Sequence, residues 1–167
     1  MTRRHWHWAL PAACAVTLAD LITKEIVQAS FAYGERVPVT GFFNLVFVMN
    51  PGAAFSFLAD AGGWQRPFLL TLGIVISAVL VYMLLRQPMH RVAAGGLTAI
   101  LGGAIGNVID RARHGAVIDW LDFYVANWHW PAFNLADTGI TIGAAMLIFE
   151  SLFLAPATKK AAEGSRR

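Results

Sequence analysis

Pro67-Phe-Leu-Leu-Thr-Leu-Gly-Ile-Val-Ile-Ser-Ala-Val-Leu-Val-Tyr-Met-Leu-Leu85 and, a short turn later, Val92-Ala-Ala-Gly-Gly-Leu-Thr-Ala-Ile-Leu-Gly-Gly-Ala-Ile-Gly-Asn-Val-Ile109 contain no charged side chain. A chain crossing hydrocarbon must pair its own backbone, because each unpaired N–H or C=O there costs several kcal/mol. An α-helix does so within one run of about 20 apolar residues. At about 1.5 Å per residue each stretch reaches roughly 27 to 28 Å, close to the thickness of a bilayer core. The two runs therefore predict an all-α membrane protein. Composition agrees: of 167 residues 57% are hydrophobic and 14% charged, against about 25% charged in soluble domains, and mean hydropathy is +0.55.

Two further runs fit the same length. Trp6 to about Ile26 carries Asp20 and Lys24 near its far end, and about Ala136 to Ala155 begins beside Asp137 and holds Glu150 near its close. The expected architecture is four transmembrane helices (about 6–26, 67–85, 92–109 and 136–155) in a single integral membrane domain over 1–167. Two outer regions cover about 27–66 and 110–134, and a polar tail covers 156–167. Arg3, Arg4, Arg86, Arg91, Lys159, Lys160, Arg166 and Arg167 flank these runs on one side. The positive-inside rule makes that side, with both termini, cytoplasmic. No basic tract is long enough to track phosphates, so no nucleic-acid partner is expected.

Val37 to Ala59 is also uncharged, but Pro38, Gly41, Asn50, Pro51 and Gly52 interrupt it. Its Phe-Phe-Asn-Leu-Val-Phe-Val-Met stretch is β-branched and aromatic, which predicts an extended strand, part of a small outer β-rich platform on the membrane surface. Trp6, Trp8, Trp64, Trp120, Trp128 and Trp130 lie near span ends or in outer loops, as interfacial anchors do. Ala12-Ala13-Cys14 faintly resembles a lipoprotein cleavage box, but hydrophobicity continues to Ile22, so Cys14 is expected to be a small buried hydrophobe in a helix.

An ionisable residue inside a spanning segment costs about 2.5 to 3.5 kcal/mol, so it faces the bundle interior and marks a working site. Asp20, Asp110, Arg111, Asp119 and Asp137 all fall at the outer level. In the third run, Gly102, Gly103 and Gly106 allow close helix packing. Asn107 and Arg111, spaced i and i+4, share a face that suits a peptide backbone, or are an interfacial cap and a positive end-anchor. Asp119 is flanked by large apolar groups in Val117-Ile-Asp-Trp-Leu-Asp-Phe123, and desolvation should raise its pKa. If Asp119 meets Asp137, repulsion makes the pair share one proton, one carboxyl acting as general base on water and the other as general acid, which is the aspartyl-protease arrangement. Asn134 stands one helical turn before Asp137. Asp137 could instead be a helix cap and Asp119 a surface charge. Asp20 and Lys24 either neutralise each other or support the site. Asp122 is expected to be an exposed interfacial acid. No His-Glu-x-x-His spacing exists, and no metal is expected.

Five blocks then resemble, in order, the signature blocks of the lipoprotein signal peptidases, or signal peptidase II: Asp20-Leu-Ile-Thr-Lys24, Asn50-Pro-Gly-Ala-Ala-Phe-Ser56, Gly106-Asn-Val-Ile-Asp-Arg111, Val117-Ile-Asp-Trp-Leu-Asp-Phe123 and Phe133-Asn-Leu-Ala-Asp137. The resemblance implies a bacterial inner-membrane aspartyl endopeptidase. It would remove the signal peptide from prolipoproteins, cutting on the N-terminal side of a diacylglyceryl-modified cysteine. It implies Asp119 and Asp137 as the catalytic pair. Asn50, Gly52, Asn107, Asp110, Arg111, Asn134 and Ala136 are implied as substrate-binding or supporting positions, and so are Asp20 and Lys24. No metal or organic cofactor is implied, and the expected partners are prolipoprotein and membrane lipid, with the chain acting as a monomer.

Three other classes fit less well. A magnesium phosphotransferase could use Asp110, Asp119 and Asp122, but the surrounding acid and glycine pattern is missing. A transporter wants acids at the midplane and a two-fold repeat. A non-catalytic assembly factor leaves the acid pair without a purpose.

Overall fold

The computed structural model describes residues 4–52 and 62–154. In chain order it holds α1 (Trp6–Ser30), β1 (Arg36–Thr40), β2 (Phe43–Asn50), α2 (Gln65–Arg86), α3 (Arg91–His114), β3 (Val117–Val125), β4 (Trp128–His129) and α4 (Leu135–Phe149), which closes in a π-helical turn, Glu150–Leu154. The chain is mostly helical. The segments Gln65–Arg86, Arg91–His114 and Leu135–Leu154 are long and apolar enough to cross a membrane. Ala53 to Ala61 and the polar tail lie outside the described residues.

The pattern of burial explains the packing. In α2 only Gln65, Leu69, Leu80 and Leu84 are buried, while Phe68, Leu72, Ile74, Val75, Ile76, Val79 and Tyr82 are exposed. So large an apolar face is stable against hydrocarbon and not against water. In α1 the buried positions Ala9, Ala13, Thr17, Asp20, Lys24 and Val27 recur every three or four residues, one face of a helix. That stripe turns from apolar to charged toward its C-terminal end. Cys14 lies off the stripe and is exposed, which corrects the expectation of burial.

α3 is the central helix and packs against α1, α2 and α4. Its small residues make this possible: a Cβ at Gly103 would strike the carbonyl oxygen of Ala136 in α4. α3 also runs on to His114, past the expected end at Ile109, so Asp110 and Arg111 are helical and their side chains are aimed by the helix.

The strands form one antiparallel sheet in the order β1-β2-β3-β4. The extended stretch expected from Phe42 to Met49 is β2 (Phe43–Asn50), whereas the sequence of β3 shows only an acid among apolar groups. β2 and β3 join the two outer regions, with Val48 opposite Asp119 and Asn50 opposite Val117. Trp6, Trp64, Trp128 and Trp130 are exposed, as anchors would be.

Candidate active site

Three local devices bring the acids together. The backbone of Phe133 bonds to β3, accepting from Trp120 and Leu121 N–H at 3.0 and 2.8 Å and donating to Leu121 at 3.1 Å. This lays the approach to α4 beside Asp119. Asn134 then caps α4, its Oδ1 accepting the Asp137 N–H at 2.9 Å. The same side chain turns its Nδ2 to Asp119 Oδ1 at 2.7 Å and to the Ile118 carbonyl at 3.1 Å. One fully buried amide thus touches the backbone of one acid and the carboxyl of the other.

Asp119 is 2% exposed. Asn50, at the end of β2, donates from Nδ2 to Asp119 Oδ2 at 3.2 Å and accepts the Gly52 N–H on Oδ1 at 3.0 Å. Burial, and then the charge of Asp137, push the Asp119 carboxyl up to about 7, against the opposing pull of its bonds from Asn50 and Asn134. Asp137 is half-buried and receives Asn107 Nδ2 on Oδ1 at 2.9 Å.

Behind the pair lies an ion cluster. Lys24 Nζ is 2.7 Å from Asp20 Oδ2, 2.8 Å from Asp110 Oδ2 and 3.1 Å from Asn107 Oδ1, with all three charged side chains buried. Asp20 Oδ1 accepts the Ala136 N–H at 2.8 Å, and Asp110 Oδ2 accepts the Ile118 N–H at 3.2 Å. Lys24 therefore does more than neutralise Asp20. It ties the start of α4 and the start of β3 to α1 and α3, and it reaches Asp137 through Asn107. Gly106 leaves the room this needs, because a Cβ there would strike Asp20 Oδ2. Arg111 Nη2 donates to the Gly52 carbonyl at 2.9 Å. Asp20, Asp110, Asp119 and Asp137 thus stand against Lys24 and Arg111, four carboxyls to two cations.

Asp137 opens on a cavity of about 560 Å³ between α2, α3 and α4, with Asp119 buried behind the Asn50 that lines it. Its polar end is formed by Asn50, Asn107, Arg111 and Asp137, and apart from Thr138 and Thr141 the remainder is apolar, including Leu69, Leu72, Ile76, Ile100, Val108 and Ile140. Such a cavity takes a mainly apolar ligand and presents one polar bond of it to the acids.

The structure brings together every position singled out in the sequence: Asp20, Lys24, Asn50, Gly52, Asn107, Asp110, Arg111, Asp119, Asn134, Ala136 and Asp137. Asp122 is the exception to its expectation. It is 2% exposed, not an interfacial surface acid, because Asn44, Arg36 and His129 all converge on it. Those partners lie on other strands, and no local spacing announces them. Trp130, Pro131, Ala132 and Phe133 are cavity walls that sequence reasoning missed for the same reason.

The family model for signal peptidase (SPase) II matches residues 12–153 of the chain. The chain is 56% identical over 143 residues to the lipoprotein signal peptidase of Cupriavidus taiwanensis, covering 86% of this chain and 81% of that protein. It is 54% identical over 143 residues to that of Paraburkholderia phytofirmans, covering 86% and 83%. A solved structure described as "Bacterial membrane enzyme structure by the in meso method at 2.3 A resolution" superposes with a TM-score of 0.80 at 28% identity, covering 91% of this chain and 92% of the other.

Proposed function

This chain belongs to the signal peptidase II family, a family of membrane proteases that process lipoproteins, and from that premise we propose that it is an aspartyl endopeptidase with Asp119 and Asp137 as the catalytic pair. It removes the signal peptide from prolipoproteins on the N-terminal side of the diacylglyceryl-modified cysteine. The observation that carries this reading is the buried Asn134, bonded at once to the Asp119 carboxyl and to the backbone of Asp137, which lines the polar end of a mainly apolar cavity.

In this reading the pair holds one proton, on Asp119, whose carboxyl stands near 7. The ionised partner takes a proton from water as the oxygen attacks the scissile carbonyl carbon, and the proton of the other carboxyl passes to the carbonyl oxygen. Collapse of the tetrahedral species returns one hydroxyl proton to Asp119 as the C=O bond reforms and the C–N bond breaks, and the proton that Asp137 took from water goes to the leaving nitrogen. The products are a signal peptide ending in a carboxyl group and a lipoprotein with a free amine on its lipidated cysteine. Asn107 and Arg111 line the cavity where they can hold the substrate backbone, and the apolar walls take the signal segment.

The same reading places four helices across the bacterial inner membrane as one domain. α1, with Leu18, Ile22 and Ile26 exposed opposite its charged stripe, is the fourth span beside the three apolar helices. Both termini and the Arg86-to-Arg91 turn face the cytoplasm, and the sheet faces outward. In this reading the chain acts as a monomer.

Incubation of the purified protein with a diacylglyceryl-modified prolipoprotein, with and without a chelator, tests the proposal. Cleavage before the modified cysteine in both arms supports it. An uncut substrate, or cleavage abolished by the chelator, contradicts it.

A further inference from the structure

Away from the acid pair and the Lys24 cluster behind it, the buried charge of Asp122 has no part in the chemistry. Asp122 lies in the middle of the sheet and gathers a partner from each other strand: Arg36 Nε of β1 at 3.1 Å and Asn44 Nδ2 of β2 at 2.8 Å, both on Oδ2, and His129 Nδ1 of β4 at 2.8 Å from Oδ1. Tyr124 stacks on the His129 ring at 5.0 Å between centroids. Burying a carboxylate is costly without such partners, and a cost borne in the sheet calls for a reason.

The reason lies in what β4 leads to. β4 is two residues long and is joined to β3 by Ala126-Asn127. Ala126 sits in the left-handed region at φ 53, a position in a two-residue hairpin turn that glycine ordinarily fills. So short a ladder on so strained a turn does not hold itself. Yet the chain leaving it, Trp130 to Phe133, forms a wall of the cavity, while Asn134 beyond it is held in place by the separate backbone bonds of Phe133 to β3. His129 to Asp122 is the side-chain hydrogen bond from β4 to β3, beside the backbone bonds of Trp130 to Phe123 and of Phe133 to Leu121.

We propose that the His129–Asp122 contact is a positioning clasp that fixes the Trp130-to-Phe133 wall of the cavity, so that His129 and Asp122 govern substrate capture without taking part in the chemical step. This consequence rests on the protease reading, while the clasp itself does not. A wall that holds the substrate away from the reacting bond binds ground state and transition state alike. Its loss therefore raises KM and leaves kcat nearly unchanged.

The test compares His129→Phe, which keeps a ring against Tyr124 but has no Nδ1–H, with His129→Asn, which returns an amide donor near the same place. His129→Phe should raise KM about ten-fold with kcat within about two-fold of wild type, and His129→Asn should recover most of the loss. In parallel, hydrogen exchange of the Trp130 and Phe133 amides, bonded to Phe123 and Leu121, should quicken in His129→Phe while α3 amides keep their wild-type rates. An unchanged KM, equal damage in the two variants, or a fall in kcat alone would overturn the proposal, as would unaltered exchange. If the wild-type protein leaves the prolipoprotein uncut, the protease reading fails, and the exchange rates still decide the clasp.

Discussion

Asn107 Nδ2 donates to Asp137 Oδ1 at 2.9 Å while Asn107 Oδ1 accepts from Lys24 at 3.1 Å. The amide is a bridge between a buried cation and an acid of the proposed pair. It fixes which carboxyl oxygen of Asp137 is engaged and leaves the other toward the cavity. Asn107→Ala should lower kcat/KM about ten- to a hundred-fold, as removing one aimed donor from a dry site does, with the protein still inserted and folded. Steady-state cleavage kinetics check this, and full activity at limiting substrate would refute the role.

Lys24 is the sole cation among the described residues that touches Asp20 and Asp110, and it is 1% exposed. Lys24→Met leaves two buried carboxyls uncompensated and should destabilise the fold by about 3 to 5 kcal/mol. Gly106→Ala drives a methyl into Asp20 and should cost about 1 to 3 kcal/mol. Thermal unfolding in detergent micelles ranks the two, and wild-type stability of either variant would contradict the packing described.

Asp119 gives a pH dependence with a definite sign. Its folded value, about 7, lies above the ordinary carboxyl value near 3.9. The neutral acid is thus favoured by the fold. That stabilisation is complete below about pH 4 and is lost as pH rises to about 7. Activity that needs the shared proton should fall on an alkaline limb near 7, a property of the coupled pair. Asn50→Ala removes a bond that favours the ionised form and should move the limb to higher pH. A limb that stays in place, or moves down, would contradict this electrostatic account.

Topology is open to labelling. With Cys14, exposed on α1, replaced by Ala, a cysteine at Tyr33 or at His114, both exposed, should react with an impermeant thiol reagent from the outer side of intact cells. Reaction solely after the inner face is opened would invert the proposed arrangement.

Much of this was legible in the sequence because it is local. Uncharged runs on either side of the Arg86-to-Arg91 turn fixed two helices, and the i, i+4 spacing of Asn107 and Arg111 put both on the cavity. The acids were conspicuous because a charge in an apolar run needs a partner. What stayed hidden depends on contacts between residues distant in the chain. Asp122 reads as a surface acid until Asn44, on a strand far earlier in the chain, is laid opposite it. Cys14 reads as buried until the stripe through Ala13 and Thr17 shows which face of α1 packs. The helical continuation to His114 and the strand after it were obscured because polar residues there suit a loop equally well.

The central claim is the acid pair, and cleavage of a diacylglyceryl-modified prolipoprotein by the variants Asp119→Asn, Asp137→Asn and the double variant tests it most directly. An amide keeps the shape of the carboxyl but can neither take a proton from water nor share one. Each single variant should lose a factor of at least about 10² to 10⁴ while unfolding at a temperature close to that of wild type. Because the two groups act as one unit, the double variant should be little worse than either. Near wild-type cleavage by Asp119→Asn or by Asp137→Asn would contradict the account.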